Sequence, residues 1–123
     1  MNKTYLNIFY LLIFVFFNIN AFSEENKKTI INVEADQLIT TQNPLKSEFI
    51  GNVYANDQKN FFWGDKMIIH YDANKKIELI NLEKNVKVKR INEEANGNFA
   101  TYNPKTETIE IIGDVIVFKD KNI

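Results

Sequence analysis

Apolar and polar residues alternate with a period of two along most of the chain after residue 29. Ile31-Asn32-Val33-Glu34-Ala35 and Val86-Lys87-Val88-Lys89 put apolar side chains on one side and polar ones on the other, the pattern of a strand with one buried face. In Phe49-Ile50-Gly51-Asn52-Val53-Tyr54-Ala55 the odd positions carry the smaller or apolar residues. Turn formers separate the runs: Asn43-Pro44, Asn56-Asp57, Asp72-Ala73-Asn74, Asn92, Asn96-Gly97 and Asn103-Pro104. No eleven-residue window carries an apolar stripe at helical spacing. The pattern predicts an all-β chain of about eight or nine strands, each of roughly six to ten residues. One run breaks the alternation. Val115-Ile116-Val117-Phe118 is apolar on both faces, which predicts a second strand layer or a partner over its far side.

The chain also repeats itself. Gly51-Asn52-Val53, Lys84-Asn85-Val86 and Gly113-Asp114-Val115 share one pattern, and Ala35-Asp36-Gln37, Gly64-Asp65-Lys66 and Gly97-Asn98-Phe99 form a second series upstream. Four positions before each valine of the first series stands a large apolar residue: Phe49, Leu82 and Ile111. Tyr71 and Tyr102 match in the second and third units, where the first has Thr40. These coincidences predict about three stacked units of ~30 residues, because a single unit of strand, turn, strand, turn, strand cannot bury its own face. The alternative is a small β-sandwich with regular hairpins and chance Asn-Val matches.

Composition narrows the function. A chain of 123 residues makes one ordinary domain. With 15 basic and 16 acidic side chains the formal charge is -1, so no whole-molecule field points at nucleic acid. Cysteine is absent, histidine and arginine occur once each (His70 and Arg90), and serine occurs only at Ser23 and Ser47. That inventory excludes a serine triad and a multi-histidine metal site, so it describes a binding protein with no cofactor rather than an enzyme.

The N-terminus adds a compartment. Lys3, the apolar run from Tyr5 to Phe17 broken only by Asn7, and Ala21-Phe22-Ser23 with small residues at the -3 and -1 positions have the order of a secretory signal peptide. The expectation is a signal over residues 1–23, cleavage after Ser23, and a mature extracytoplasmic domain over 24–123. The run of about 13 residues is short of the roughly 20 that span a bilayer. An uncleaved anchor using Leu6 to Ile19 is the competing reading.

With these residues in view, the order Ile31-Asn32-Val33-Glu34-Ala35-Asp36-Gln37, then Phe49-Ile50-Gly51-Asn52-Val53, then Gly64-Asp65-Lys66-Met67, and finally Ile112-Gly113-Asp114-Val115 resembles the LptA/OstA-like lipopolysaccharide-export family. The resemblance covers Thr29 to Lys119. The sequence departs from the family pattern at Glu83-Lys84, where a glycine is usual, and at Gly64 and Gly97, where alanine is usual. The resemblance implies an open β-jellyroll, a periplasmic location behind a cleaved signal, and an interior that accepts lipid A acyl chains of lipopolysaccharide. It also implies jellyroll partners at the inner and outer membranes and head-to-tail self-association into a bridge. Two other readings stay open: a membrane-anchored, LptC-like component of the same system, and a structural β-repeat protein that binds no lipid.

On that reading the candidate lipid-facing interior is Ile31, Val33, Val53, Val86, Val88, Val115 and Val117, with Tyr102 near the seam. A dry core would show the same alternation. Lys87, Lys89 and Arg90 are candidates for a phosphate-binding rim or, alternatively, a solvated edge face. Phe61-Phe62-Trp63 is an aromatic cluster for core filling or, alternatively, for contact with acyl chains or a neighbouring protomer. His70 stands alone and suggests no metal. Asp36 and Asp65 are expected to bond backbone at strand bends, since Asn98 fills the third such place without a carboxylate. The expected free edges are Thr29 to Ala35 and Val115 to Lys119. Ile116 and Phe118 are the candidate partner contacts at the second edge.

Overall fold

The computed structural model describes residues 30–120. The expected signal peptide and its cleavage point lie outside the described residues. Eight strands follow in order: β1 (Asn32–Glu34), β2 (Gln37–Gln42), β3 (Leu45–Asn56), β4 (Phe61–Tyr71), β5 (Ile77–Arg90), β6 (Glu93–Asn103), β7 (Thr108–Ile112) and β8 (Ile116–Lys119). They form one sheet in which every pairing is antiparallel. The described residues contain no helix, as the period-two alternation requires. Strand lengths differ from the expectation. The four central strands run to 12, 11, 14 and 11 residues. Asn96-Gly97, read from sequence as a turn, lies inside β6 and bends it without ending it.

The register explains the architecture. β2 pairs with residues 45–50 of β3, and β1 with residues 54–56 of the same strand. At the other side β7 pairs with residues 99–103 of β6, and β8 with residues 93–96. Each outer position is therefore one strand interrupted at a bend, while β3, β4, β5 and β6 continue through it. The result is an open jellyroll of two leaves that share four strands. The first leaf holds β2, the adjoining halves of the four shared strands, and β7. The second holds β1, the other halves, and β8.

Where the leaves meet, the ladder slips at Ile50/Val53, Trp63/Lys66 and Glu83/Val86. The recurring sequence anchors all sit on this crease. Gly51 and Asn52 have φ of 87° and 49°, Lys84 and Asn85 of 67° and 53°, and Gly113 and Asp114 of 88° and 49°. Paired left-handed residues make a bulge that turns the strand sharply. Facing each bulge is the other anchor. The Asp36 amide donates to the Gly51 carbonyl at 2.9 Å, and the Asn98 amide to that of Gly113 at 3.0 Å. Asn52 Nδ2 donates to Asp36 Oδ2, and Asn85 Nδ2 to Asp65 Oδ2, both at 2.9 Å. Glycine is required at 51, because a Cβ there would stand 2.7 Å from Asp36 Oδ2. Asp36 and Asp65 thus fasten the bends, as their position suggested, but their carboxylates bond the side-chain amides of Asn52 and Asn85 and not the backbone expected of them.

Between the leaves lies the core. Across the first leaf the inward rows run Ser47, Ile69, Ile80, Tyr102 and Phe49, Met67, Leu82, Ala100, Ile111. Across the second they run Val33, Ala55, Phe62, Val88, Ala95, Val117. The Phe62 ring of the second leaf lies 5.3 Å from the Tyr102 ring of the first, which brings the two sheets face to face.

Candidate functional site

The interior has three parts, set by how far each stretch of the two leaves lies from a free edge. In the middle, flanked on both sides by continuous strands, Val53, Val86, Val88 and Tyr102 are buried together with Phe62, Met67, Ile80 and Leu82. Four of the expected lipid-facing residues are therefore buried in a closed core. Sequence alternation identified their direction but not the layer opposite, because the period of a strand is the same over a cavity and over a packed neighbour.

Towards the β1–β2 edge the leaves part. Ile30, Ile31 and Val33 from the second leaf face Phe49, Ile69, Tyr71 and Ile77 from the first across an open apolar cavity of about 400 Å³. Two expected residues, Ile31 and Val33, line it. The others escaped the sequence reading, although Phe49 stood out as the large residue before Val53 and Tyr71 as the counterpart of Tyr102. Polar groups are few. Ser47 Oγ and Tyr71 Oη meet at 3.2 Å just behind the lining, so neither hydroxyl is left unpaired in the apolar wall.

Towards the β7–β8 edge the interior is uncovered. Val115, Ile116, Val117 and Phe118 are 45–54 % exposed. Val117 continues the inward row beside Ala95, and Ile116 and Phe118 point the other way, opposite Asn96 and Glu94. Neither face of β8 carries the second layer that its composition predicts. Val115 and Val117 are consequently not shielded like Val53 or Val88; an edge strand has a neighbour on one side only. The expected edge segments correspond to β1 and β8, and β2 and β7, which the sequence reading did not name, complete the two edges. Among the described residues β1 and β2 pair only with β3, and β7 and β8 only with β6.

The three expected rim cations separate, which corrects their grouping. Lys87 lies on the outer face with its ammonium 4.3 Å over the Trp63 ring, itself stacked 5.2 Å from Tyr54. Lys89 is on that face too, between Phe61 and Glu94 in the register. Only Arg90, an odd step further on, turns towards the seam opposite the crease. There Nε donates to Asn60 Oδ1 at 2.6 Å and Nη2 to the Glu107 carbonyl at 3.1 Å. The aromatic triplet divides in the same way. Phe62 fills the core, while Phe61 and Trp63 belong to the outer face. His70 meets only an amide, with Nε2 3.1 Å from Asn81 Nδ2.

The seam is a polar cluster the sequence reading missed, since Asp57 and Asn60 stand in a stretch that reads as an ordinary turn. Asp57 Oδ1 accepts from the amides of Lys59 and Asn60 at 3.0 and 2.7 Å. Its Oδ2 accepts from Tyr102 Oη at 2.9 Å and from Asn60 Nδ2 at 3.0 Å. Burial pushes the Asp57 carboxyl upward, but the bonds from Asn60, Lys59 and Tyr102 outweigh it and hold the group below the ordinary carboxylate range. Tyr102 moves the other way: burial first, then its bond to the Asp57 carboxylate, push the phenol up to about 12.

Residues 32–123 match the family described as LptA/(LptD N-terminal domain) LPS transport protein. Among solved structures the chain is similar to LptH, the LptA-homologous periplasmic component of the conserved lipopolysaccharide transport device from Pseudomonas aeruginosa, at 10% identity over 75% of this chain and 96% of that one. The TM-score is 0.40, too distant a likeness to carry weight. No curated protein matches the chain.

Proposed function

The chain belongs to the LptA/(LptD N-terminal domain) family of LPS transport proteins, and on that premise we propose that it is a periplasmic carrier that shelters lipid A acyl chains between its two leaves. It works in lipopolysaccharide transport and is not an enzyme. The observation that supports a carrier role is the apolar mouth between the leaves, walled by Ile31, Val33, Phe49, Ile69 and Ile77. Each methylene moved from water into such a site contributes about 0.8 kcal/mol, so an acyl chain of about 12 carbons gains roughly 9 kcal/mol before ordering costs. Apolar walls therefore suffice for retention, and no reactive group is called for. A cavity of about 400 Å³ has the size of a pocket for one small ligand. A lipid with several acyl chains needs more of the interior, including the part lined by Val53, Val86 and Val88.

The same reading assigns the edges. Unpaired backbone groups along β1–β2 and β7–β8 suit strand addition, and the exposed Ile116 and Phe118 give the second edge an apolar flank. Joining the C-terminal edge of one jellyroll to the N-terminal edge of the next is a heterologous contact that does not close, so it builds a rod from the inner towards the outer membrane. The partners are jellyroll components at the two membranes or further copies of this chain. Export by the signal over residues 1–23, cleaved after Ser23, places the protein in the periplasm. Mass spectrometry of lipid that co-purifies with the periplasmic protein tests the reading. Acylated glycolipid is expected, and its absence from repeated preparations rejects the carrier role in favour of a purely structural β-repeat protein.

A further inference from the structure

From the cluster around Asp57 and Tyr102 we infer a latch: it holds the two leaves shut along the seam, and the interior opens to a bulky apolar ligand only when the latch releases. The inference rests on the carrier reading and adds to it the step that admits the ligand.

Topology makes the seam the side that can open. On the crease side the leaves are joined by four continuous strands and by the anchor bonds of Asp36, Asp65 and Asn98. Opposite the crease no strand crosses among the described residues. The polar contacts between leaves concentrate there in one set. From the second leaf come Asp57, Lys59 and Asn60 of the β3–β4 turn and Arg90 at the end of β5. From the first come Tyr102 of β6 and Glu107 of the β6–β7 turn. Tyr102 Oη donates to Asp57 Oδ2 at 2.9 Å and receives Asn60 Nδ2 at 3.4 Å, while Arg90 reaches the Glu107 carbonyl and Lys59 Nζ lies 3.8 Å from Glu107 Oε1.

The cluster is built to hold and also to let go. The two amide bonds into Asp57 Oδ1 and the near-complete burial of Asn60 (4 % exposed) keep the turn rigid, so Oδ2 is aimed at Tyr102 in advance. Its bonds across the seam are nevertheless few. Arg90 reaches across only to a backbone carbonyl, that of Glu107, not to a carboxylate, and water can replace this acceptor when the leaves part, while the bond to Asn60 stays within the second leaf. Behind the latch there is no space for a ligand as the leaves stand, because Phe62, Met67, Ile80 and Leu82 are sealed at 0–1 % exposure. A ligand that occupies this core must separate Phe62 from Tyr102, and the hydroxyl of Tyr102 is the same group that fastens the seam. Ring contact and polar latch therefore release together.

The test locks and unlocks the seam in the full chain, with fluorescent lipopolysaccharide as the probe. Lys59→Cys with Glu107→Cys, joined by a cleavable bismaleimide, is expected to lose uptake, and cleavage of the linker by dithiothreitol to restore it. Tyr102→Phe keeps the ring and removes the hydroxyl with its bonds to Asp57 and Asn60, and is expected to load about fivefold faster. Spin labels at Gln58→Cys and Lys105→Cys, on exposed turns of opposite leaves, are expected to show a broader and longer distance distribution in Tyr102→Phe. Uptake by the crosslinked protein at the unlinked rate overturns the latch, as does an unchanged label distance in Tyr102→Phe. If the unmodified chain takes up no lipopolysaccharide while the label distance still responds to Tyr102→Phe, the latch stands and the carrier reading fails.

Discussion

The crease and the seam are the two long sides of one sandwich, and they are fastened by opposite means. The crease is covalent and regular: three bulges of left-handed residues, each faced by an Asx side chain, recur at matching points. The seam is non-covalent and singular, one cluster from two turns and the ends of two strands. Regularity on one side leaves traces in the sequence, since each bulge needs the same residue types. A single cluster leaves none. The contrast also separates what must be rigid from what can move, because strain at a bulge is fixed by the backbone while side-chain bonds exchange with water.

The comparison breaks most severely at the ring that joins the two leaves. Phe62→Ala removes a fully buried side chain from both the core and the Tyr102 contact, and we expect a loss of about 4 kcal/mol in denaturant unfolding. At the crease, Gly51→Ala forces a Cβ against Asp36 at a φ of 87°, with an expected loss of roughly 2 kcal/mol. The middle bulge sharpens the point in the other direction. Lys84 takes the position that glycine holds in the first and third bulges, at a φ of 67°. Lys84→Gly should therefore stabilise the protein by about 0.5–1 kcal/mol, and a lower melting temperature for this variant would falsify the strain argument.

The seam should respond to pH. The phenol of Tyr102 binds its proton more tightly in the folded chain, with a value of about 12 against an ordinary 10. Its contribution is complete below pH 10 and is lost as pH rises from 10 to 12. Asp57 has the opposite sign. Its lowered carboxyl contributes above the ordinary carboxylate range, near pH 4, and that contribution is lost as pH falls through its depressed value. Tyr102→Phe should cost about 1 kcal/mol at neutral pH and remove the alkaline step, measured as unfolding free energy against pH. The smallest effect belongs to Lys59→Ala. Its ion pair with Glu107 is solvent-exposed on both sides, and no change above about 0.5 kcal/mol is expected.

How much of this was legible follows from periodicity. The direction of Val33, Val53, Val86 and Val88 was readable because neighbouring side chains of a strand point to opposite faces whatever surrounds them. The anchors Asp36, Gly51-Asn52, Asp65, Asn85, Asn98 and Gly113-Asp114 were readable as repeats, but not as bends, because a glycine or asparagine at positive φ serves a turn and a mid-strand bulge alike. Lys87, Lys89 and Arg90 looked like one rim in the sequence. The alternation of the strand sends the two lysines outward, and only the arginine at its end reaches the seam.

Sequence by itself determined the all-β class, the inward face of the alternating strands, the edge segments that became β1 and β8 and the apolar surplus of β8, since these depend on the residue types within a few positions of one another. Tertiary structure alone decided which inward residues meet a partner. Val33 and Val88 lie in one row of the same leaf, yet the first opens on a cavity and the second is sealed. The difference lies in what the other leaf brings against them, and in how far each stands from an edge. Asp57 and Tyr102 are 45 positions apart in the chain and 2.9 Å apart in space. No local pattern records such a contact, because it is made by the folding of one leaf onto the other.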